Sequence, residues 1–162
     1  MTAPSAPTEA DTHGADEHLW IEAQVAALRS GRLADLDREG LAEFLADSAA
    51  RDRRELGSRL RALLALVLKV RHRPSRFSRA DALAMLGEQQ EIGRMLRLTP
   101  SLRRHAPEAM AWAWTGAVQS FAILNGAKAS RFPERPTLTL DEALAYEPPE
   151  VAAPRAGERR RR

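Results

Sequence analysis

Apolar residues recur at helical spacing along most of the chain, and no segment shows the alternating pattern of a strand. The clearest stripe predicts a helix from about residue 50 to residue 71, with successive spacings of four, three, one and three at Leu56, Leu60, Leu63, Leu64 and Val67. Pro74 ends this helix. Its second half, residues 62–68, is apolar nearly all round, which predicts a place at the centre of the fold.

Capping residues and helix breakers delimit the other predicted helices. In chain order these signals are Asp16 and Gly31 for the first helix, Asp35 or Asp37 for the second, the box Ser78-x-x-Asp81, the pair Thr99-Pro100, Pro107 with Asn125-Gly126, and the box Thr139-x-x-Glu142. Together they predict an all-α protein, a single compact helical bundle of five to six helices. The helices at 50–71 and 107–125 are expected at its centre.

The same spacing assigns an apolar face to each of the other helices. The residues expected to face the core are Leu19, Trp20, Ala23, Ala27 and Leu28 on the first helix, Leu41, Phe44 and Leu45 on the second, Leu83, Leu86, Ile92 and Leu96 on the fourth, and Val118, Phe121 and Leu124 on the helix from 107.

Length and composition place this bundle between two tails. The 162 residues suit one domain, which we expect over 16–146. Residues 1–15 are expected to be a disordered acidic arm without the features of a secretory signal, and residues 147–162 a disordered Pro/Arg-rich tail. The absence of cysteine excludes disulfides and thiol chemistry, and the longest apolar run, 62–68, is too short for a membrane span. These features predict a cytoplasmic protein.

Basic residues concentrate between 51 and 79, a segment that contains ten Arg or Lys residues and only two acidic residues. On a helical wheel Arg51, Arg54, Arg61 and Lys69 lie opposite the leucine stripe, and Arg73 and Arg76 continue the run into a loop. Such an array could bind a phosphate backbone, with the terminal arginines 159–162 adding nonspecific affinity. The alternative is a solvated helix face with internal ion pairs such as that between Glu55 and Arg59.

An acidic row precedes this stretch. Glu39, Glu43 and Asp47 are four residues apart, so their carboxylates share one face of the second predicted helix. They are a weak candidate for a metal site, since carboxylate oxygens bind divalent cations. No histidine joins them, and the alternative is a solvated face that pairs with arginines of the next helix. No motif in the sequence indicates a small-molecule cofactor.

Trp112 and Trp114 are two residues apart, so their rings cannot share one face of a helix. We expect one ring in the core and the other exposed or packed on a partner. An exposed tryptophan is a candidate interface residue, because tryptophan is enriched among the residues that dominate protein interfaces.

Short segments along the chain, in order and spacing, resemble one small bacterial family: Leu36-Asp37-x-Glu39-x-Leu41-Ala42-Glu43, Arg54-Glu55-Leu56-x-Ser58-Arg59-Leu60, Leu64, Leu68-Lys69, Pro74, Glu88-Gln89, Pro100-Ser101-Leu102-Arg103, and Phe132-Pro133-Glu134 before Thr139-Leu140. The family is known as domain of unknown function 29, and the resemblance covers about 16–145. It implies a helical bundle of cytosolic type and no activity. Phe44, Val70 and Ala82 depart from it, since the family often has an acid, a Trp and a Trp there.

Three functions remain open from the sequence. The first is a non-catalytic module for protein interaction or self-association, because a patterned core and surface come without a catalytic constellation. The second is a nucleic-acid-associated protein that uses the arginines of residues 51–79 and the C-terminal tail. The third is a metal-dependent enzyme that uses Glu39, Glu43 and Asp47.

Overall fold

The computed structural model describes residues 16–149; the predicted arm at 1–15 and residues 150–162 of the predicted tail lie outside this range. Within it the chain is all-α, as predicted, and contains no strand. The α-helices are α1 (Glu17–Arg29), α2 (Arg38–His72), α3 (Arg79–Leu98), α4 (Ala106–Asn125) and α5 (Leu140–Leu144). None of these helices is long and apolar enough to cross a membrane.

The predicted caps are present. Asp16 accepts a hydrogen bond from the backbone N–H of Leu19, and both capping boxes form at the starts of α3 and α5. In the second box, the backbone N–H and the hydroxyl of Thr139 donate to the Glu142 carboxylate and lower its pKa. Gly126 closes α4 with a φ of 61°, in the left-handed region that suits glycine.

Two helix boundaries differ from the prediction. The second and third predicted helices are one continuous helix, α2, because no glycine or proline interrupts residues 41–56 and the alanine-rich stretch between them favours helix. The segment after Thr99 is a 3₁₀-helix, Pro100–His105, and the α-helix starts only at Ala106.

The chain divides into two compact units, residues 1–50 and 51–162, of which the structure describes 16–50 and 51–149. In the first, the buried Trp20 donates from its indole N–H to Asp37 over 3.2 Å and packs edge-to-face against Phe44. Asp37 also accepts from the backbone N–H of Gly40, so it is Asp37 that caps α2. The predicted core positions Leu19, Ala23, Leu28 and Leu45 are exposed instead.

The core of the second unit lies between α2 and α4, as predicted for the two central helices. Its members from these helices are Leu56, Leu60, Leu63, Leu64, Val67 and Leu68 of α2, and Met110, Ala113, Trp114, Ala117, Val118 and Phe121 of α4. On α3 the core face is Met85, Ile92, Met95 and Leu96, whereas the predicted core residues Leu83 and Leu86 are exposed. Leu124, at the end of α4, is also exposed.

Candidate functional site

The two neighbouring tryptophans of α4 separate as their spacing predicts. Trp114 is buried, and its indole N–H donates to the carbonyl of Pro133 over 2.7 Å. Trp112 keeps 54 % of its surface exposed. Trp114 therefore anchors the loop that follows α4, and Trp112 is the ring that remains exposed.

The exposed ring of Trp112 lies against α2 in a defined position. A Cβ atom added to Gly57 would come within 3.1 Å of the Trp112 ring, so the ring rests directly on the glycine backbone. The Arg61 guanidinium lies over the ring, 5.5 Å from its centroid, as a cation–π pair. A Cβ on Gly116 would come within 2.7 Å of the Arg61 Cδ. Two glycines inside helices thus make room for an exposed tryptophan–arginine pair, a packing that the sequence pattern did not reveal.

Farther along the same pair of helices lies an open groove of about 620 Å³. Its walls are largely apolar, and Leu124, 80 % exposed, stands on its rim. The residues that line it are Ala62, Ala65, Leu66 and Lys69 of α2, Arg73 and Arg76 of the connection from α2 to α3, Ala84 and Glu88 of α3, and Ser120, Phe121, Leu124 and Asn125 of α4.

One end of this groove is positively charged. Lys69 is neutralised, because its ammonium donates to both carboxylate oxygens of Asp81 over 2.8 Å. Burial alone would raise the pKa of Asp81, but the hydrogen bonds from Lys69 and Ser78 outweigh burial and lower it. Arg73 and Arg76 form no ion pair within residues 51–149. Within that range, the groove therefore ends in two arginines without an ion-pair partner, while Glu88, an acid in its lining, pairs with Arg59.

The predicted basic face of α2 divides into residues with different partners. Arg51 and Arg54 are exposed and form no ion pair within residues 51–149, whereas Arg61 lies over Trp112 and Lys69 pairs with Asp81. The predicted pair of Glu55 and Arg59 forms at 2.9 Å. The sequence therefore overestimated the free positive charge by including Lys69, whose partner comes from α3.

The acidic row Glu39, Glu43 and Asp47 is exposed on α2. Four residues of helix rise about 6 Å, so the first and third carboxylates start about 12 Å apart and cannot meet at one ion. Among residues 16–149, no group of three or more His, Cys, Asp or Glu side chains could hold a metal ion.

The expected pairing of this acidic row with arginines of a following helix was wrong. Acids and arginines follow one another along the single helix α2, so they do not lie on two packed helices. The ion pairs that the structure gives to residues 51–79 come from Glu55, Glu88, Glu91 and Asp81 instead.

Comparison with known families adds one finding. The sequence model described as Domain of unknown function DUF29 matches residues 12–147, most of the chain, which confirms the resemblance carried by the short segments. No curated protein and no solved structure matches the chain.

Proposed function

The chain belongs to the DUF29 family, and we propose that it is a non-catalytic interaction module that binds an acidic, amphipathic helix of a partner along the surface between α2 and α4. The observation that carries the proposal is Trp112, which is more than half exposed and yet is held between Gly57 and Arg61. Tryptophan and arginine are the residue types that most often dominate interface energetics.

Rigidity supports an interface role for this pair. Glycine inside a helix costs about 0.5–1 kcal/mol relative to alanine, and both Gly57 and Gly116 carry that cost within α2 and α4. In return the ring and the guanidinium are positioned before a partner arrives. A preorganised contact loses less conformational entropy on binding than a free side chain does.

The groove beside this pair has the dimensions of a helix-binding site. Its α2 side runs from Ala62 to Arg73, which at helical rise is about 16 Å, or about three turns. Small side chains at Ala62, Ala65 and Ala84 let a partner helix approach the floor closely. Leu66 and Leu124 supply apolar surface of the kind that the apolar face of an amphipathic helix covers.

The charge of the groove selects the partner's chemistry. Arg73 and Arg76 favour acidic side chains at one end of the bound helix, because a carboxylate would pair with guanidinium groups that form no ion pair within residues 51–149. The helix comes either from another protein or from a second copy of this chain.

The test uses the full chain and a displayed library of helical peptides of about 18 residues, or about five turns. Leu and Ala are sampled on one face, and Glu, Lys and Ala on the other. We expect enrichment of peptides with Glu near one end. Trp112→Ala should weaken them about 30-fold, since truncating a dominant interface tryptophan costs about 2 kcal/mol or more. Unchanged binding by Trp112→Ala, or enrichment of Lys, would contradict the proposal.

Matched variants separate the groove from general surface effects. Leu124→Ser removes an exposed leucine of the groove, and Leu83→Ser removes a leucine of similar exposure outside it. Only the first should weaken the peptides. Sedimentation then identifies the natural partner: a mass above the monomer that Trp112→Ala abolishes shows that a second copy supplies the helix.

A second candidate function, nucleic-acid binding, is favoured by Arg51, Arg54, Arg73 and Arg76, which are unpaired within residues 51–149. It predicts binding of labelled duplex or single strands at about 50 mM salt, with an affinity that falls steeply as salt rises. Charge reversal at Arg51 and Arg54 should then reduce affinity more than charge reversal at Arg97 and Arg135. An absence of binding at low salt would exclude this function.

A further inference from the structure

A second cavity, of about 250 Å³, lies between the end of α2 and the loop that follows α4. It shares no lining residue with the groove of the proposed function. We propose that this cavity binds a small organic anion, a carboxylate or a phosphate ester attached to an aromatic or short aliphatic body.

The loop that closes the cavity is fixed to the helices at three points. Trp114 donates to the carbonyl of Pro133 over 2.7 Å, and the Arg71 guanidinium donates to the Thr137 hydroxyl over 3.0 Å. Next to Pro133, Phe132 packs edge-to-face on His72 and on Phe121, with ring centroids 5.1 and 5.7 Å apart. The cavity is thus built by packing and hydrogen bonds at both ends of the loop.

Two arginines line this cavity, and none of its described lining residues is a carboxylate. They are Arg71 and Arg131, and His72 lines the same cavity. Arg71 is oriented by Thr137 and lies 5.6 Å from the centre of the Tyr146 ring, while Arg131 forms no ion pair within residues 51–149. Asp141 pairs with Arg103, and Glu142 caps α5 while interacting electrostatically with Arg71; Glu134, in the same loop, does not line the cavity. Two guanidinium groups that line one cavity repel each other, and an anion bound between them reduces that repulsion.

The remaining walls determine the rest of the ligand. Val67, Leu68, Trp114 and Phe132 present apolar and aromatic surface beside the cations. An apolar cavity of about 150 Å³ already admits benzene, so this one accommodates an aromatic ring together with its acidic group. The combination of apolar walls with a few convergent polar groups is typical of small-molecule sites.

The experiment measures calorimetric binding to the full chain at constant ionic strength. The probes are phenyl phosphate, phenylacetate and inorganic phosphate, and the controls are the neutral benzyl alcohol and the cationic phenethylamine. We expect saturable binding of at least one aromatic anion, at least about tenfold tighter than either control. A preference between phenyl phosphate and phenylacetate identifies the acidic group, and inorganic phosphate reports what the anion contributes without the ring.

Arg131→Gln tests the site without disturbing the loop contacts, because Arg131 is exposed and makes none of them. It should weaken the aromatic anion at least about tenfold, which corresponds to about 1.4 kcal/mol. Arg135→Gln, an exposed arginine of the same loop that does not line the cavity, should leave the affinity unchanged. Equal binding of benzyl alcohol, equal effects of the two variants, or no saturable binding by any anion would overturn the proposal. Because the groove is elsewhere, peptide binding should be the same in Arg131→Gln.

Discussion

Replacing Gly116 by alanine should stabilise the helix α4 and at the same time disturb the Arg61–Trp112 pair. The new Cβ would lie 2.7 Å from the Arg61 Cδ, so the flexible arginine has to move off the ring. Gly87, in the middle of α3, is the matched control, because a Cβ there meets nothing within 4 Å. Both substitutions improve helix propensity, and only the first disturbs a contact.

The magnitudes decide the expected result. Glycine to alanine inside a helix gains about 0.5–1 kcal/mol in the free energy of unfolding, which Gly87→Ala should show in full. An exposed cation–π pair contributes about 0.5–1 kcal/mol to the free energy of unfolding. The stability that Gly116→Ala loses with the Arg61–Trp112 pair should therefore offset the stability it gains in helix α4. Its net effect is expected to be close to zero.

Urea denaturation measures these differences in the free energy of unfolding, provided that the m-value is the same for wild type and variants. A double-mutant cycle with Arg61→Ala isolates the contact: once Arg61 is truncated, Gly116→Ala should stabilise as much as Gly87→Ala does. Gly116→Ala should also weaken the selected acidic peptides. If it stabilises as much as Gly87→Ala in the native background, with no coupling to Arg61, then Gly116 does not hold the pair and the reasoning is refuted.

Three further predictions concern the second unit. Asp81→Asn should destabilise the protein by about 1–2 kcal/mol at neutral pH, since a neutral amide replaces the partner of Lys69. Because the pKa of Asp81 is lowered from 3.8, that contribution is complete above this pH and is lost as the pH falls through the lowered value, so wild type and variant should converge in acid urea titrations. Leu63→Ala, at a fully buried position, should cost about 2–5 kcal/mol, and Leu83→Ala, at a position 71 % exposed, less than about 0.5 kcal/mol. Trp114→Phe should cost about 1–3 kcal/mol and speed proteolysis of the loop after α4, because it loses the hydrogen bond to that loop; a loop as resistant as wild type would contradict this role.

Helix caps and helix periodicity could be predicted because they depend on neighbours within about one turn. The boxes at Ser78 and Thr139 and the left-handed Gly126 are present where the sequence places them. The leucine stripe of α2 is buried as expected, since its spacing leaves one possible apolar face. On α3 the spacing placed Leu83 and Leu86 in the core together with Ile92 and Leu96, but packing buries Met85 and leaves Leu83 exposed.

Charges could be counted from the sequence, but their partners could not. In the sequence, Lys69 and Arg73 each count as one positive charge. Only the packing of α3 shows that Lys69 pairs with Asp81 and that Arg73 does not. In the same way, the spacing of Trp112 and Trp114 showed that one ring must be exposed, whereas the packing of Trp114 under Pro133 determined which.

The sequence by itself therefore determined the all-α class, the caps, the leucine face of α2 and the family. Each of these rests on interactions or similarities that are local in the chain. Tertiary structure alone decided which cations of residues 51–149 remain unpaired there, how Gly57 and Gly116 accommodate the Arg61–Trp112 pair, and that Arg71 and Arg131 line one cavity. These features join residues that are far apart in the chain, and no periodicity encodes such contacts.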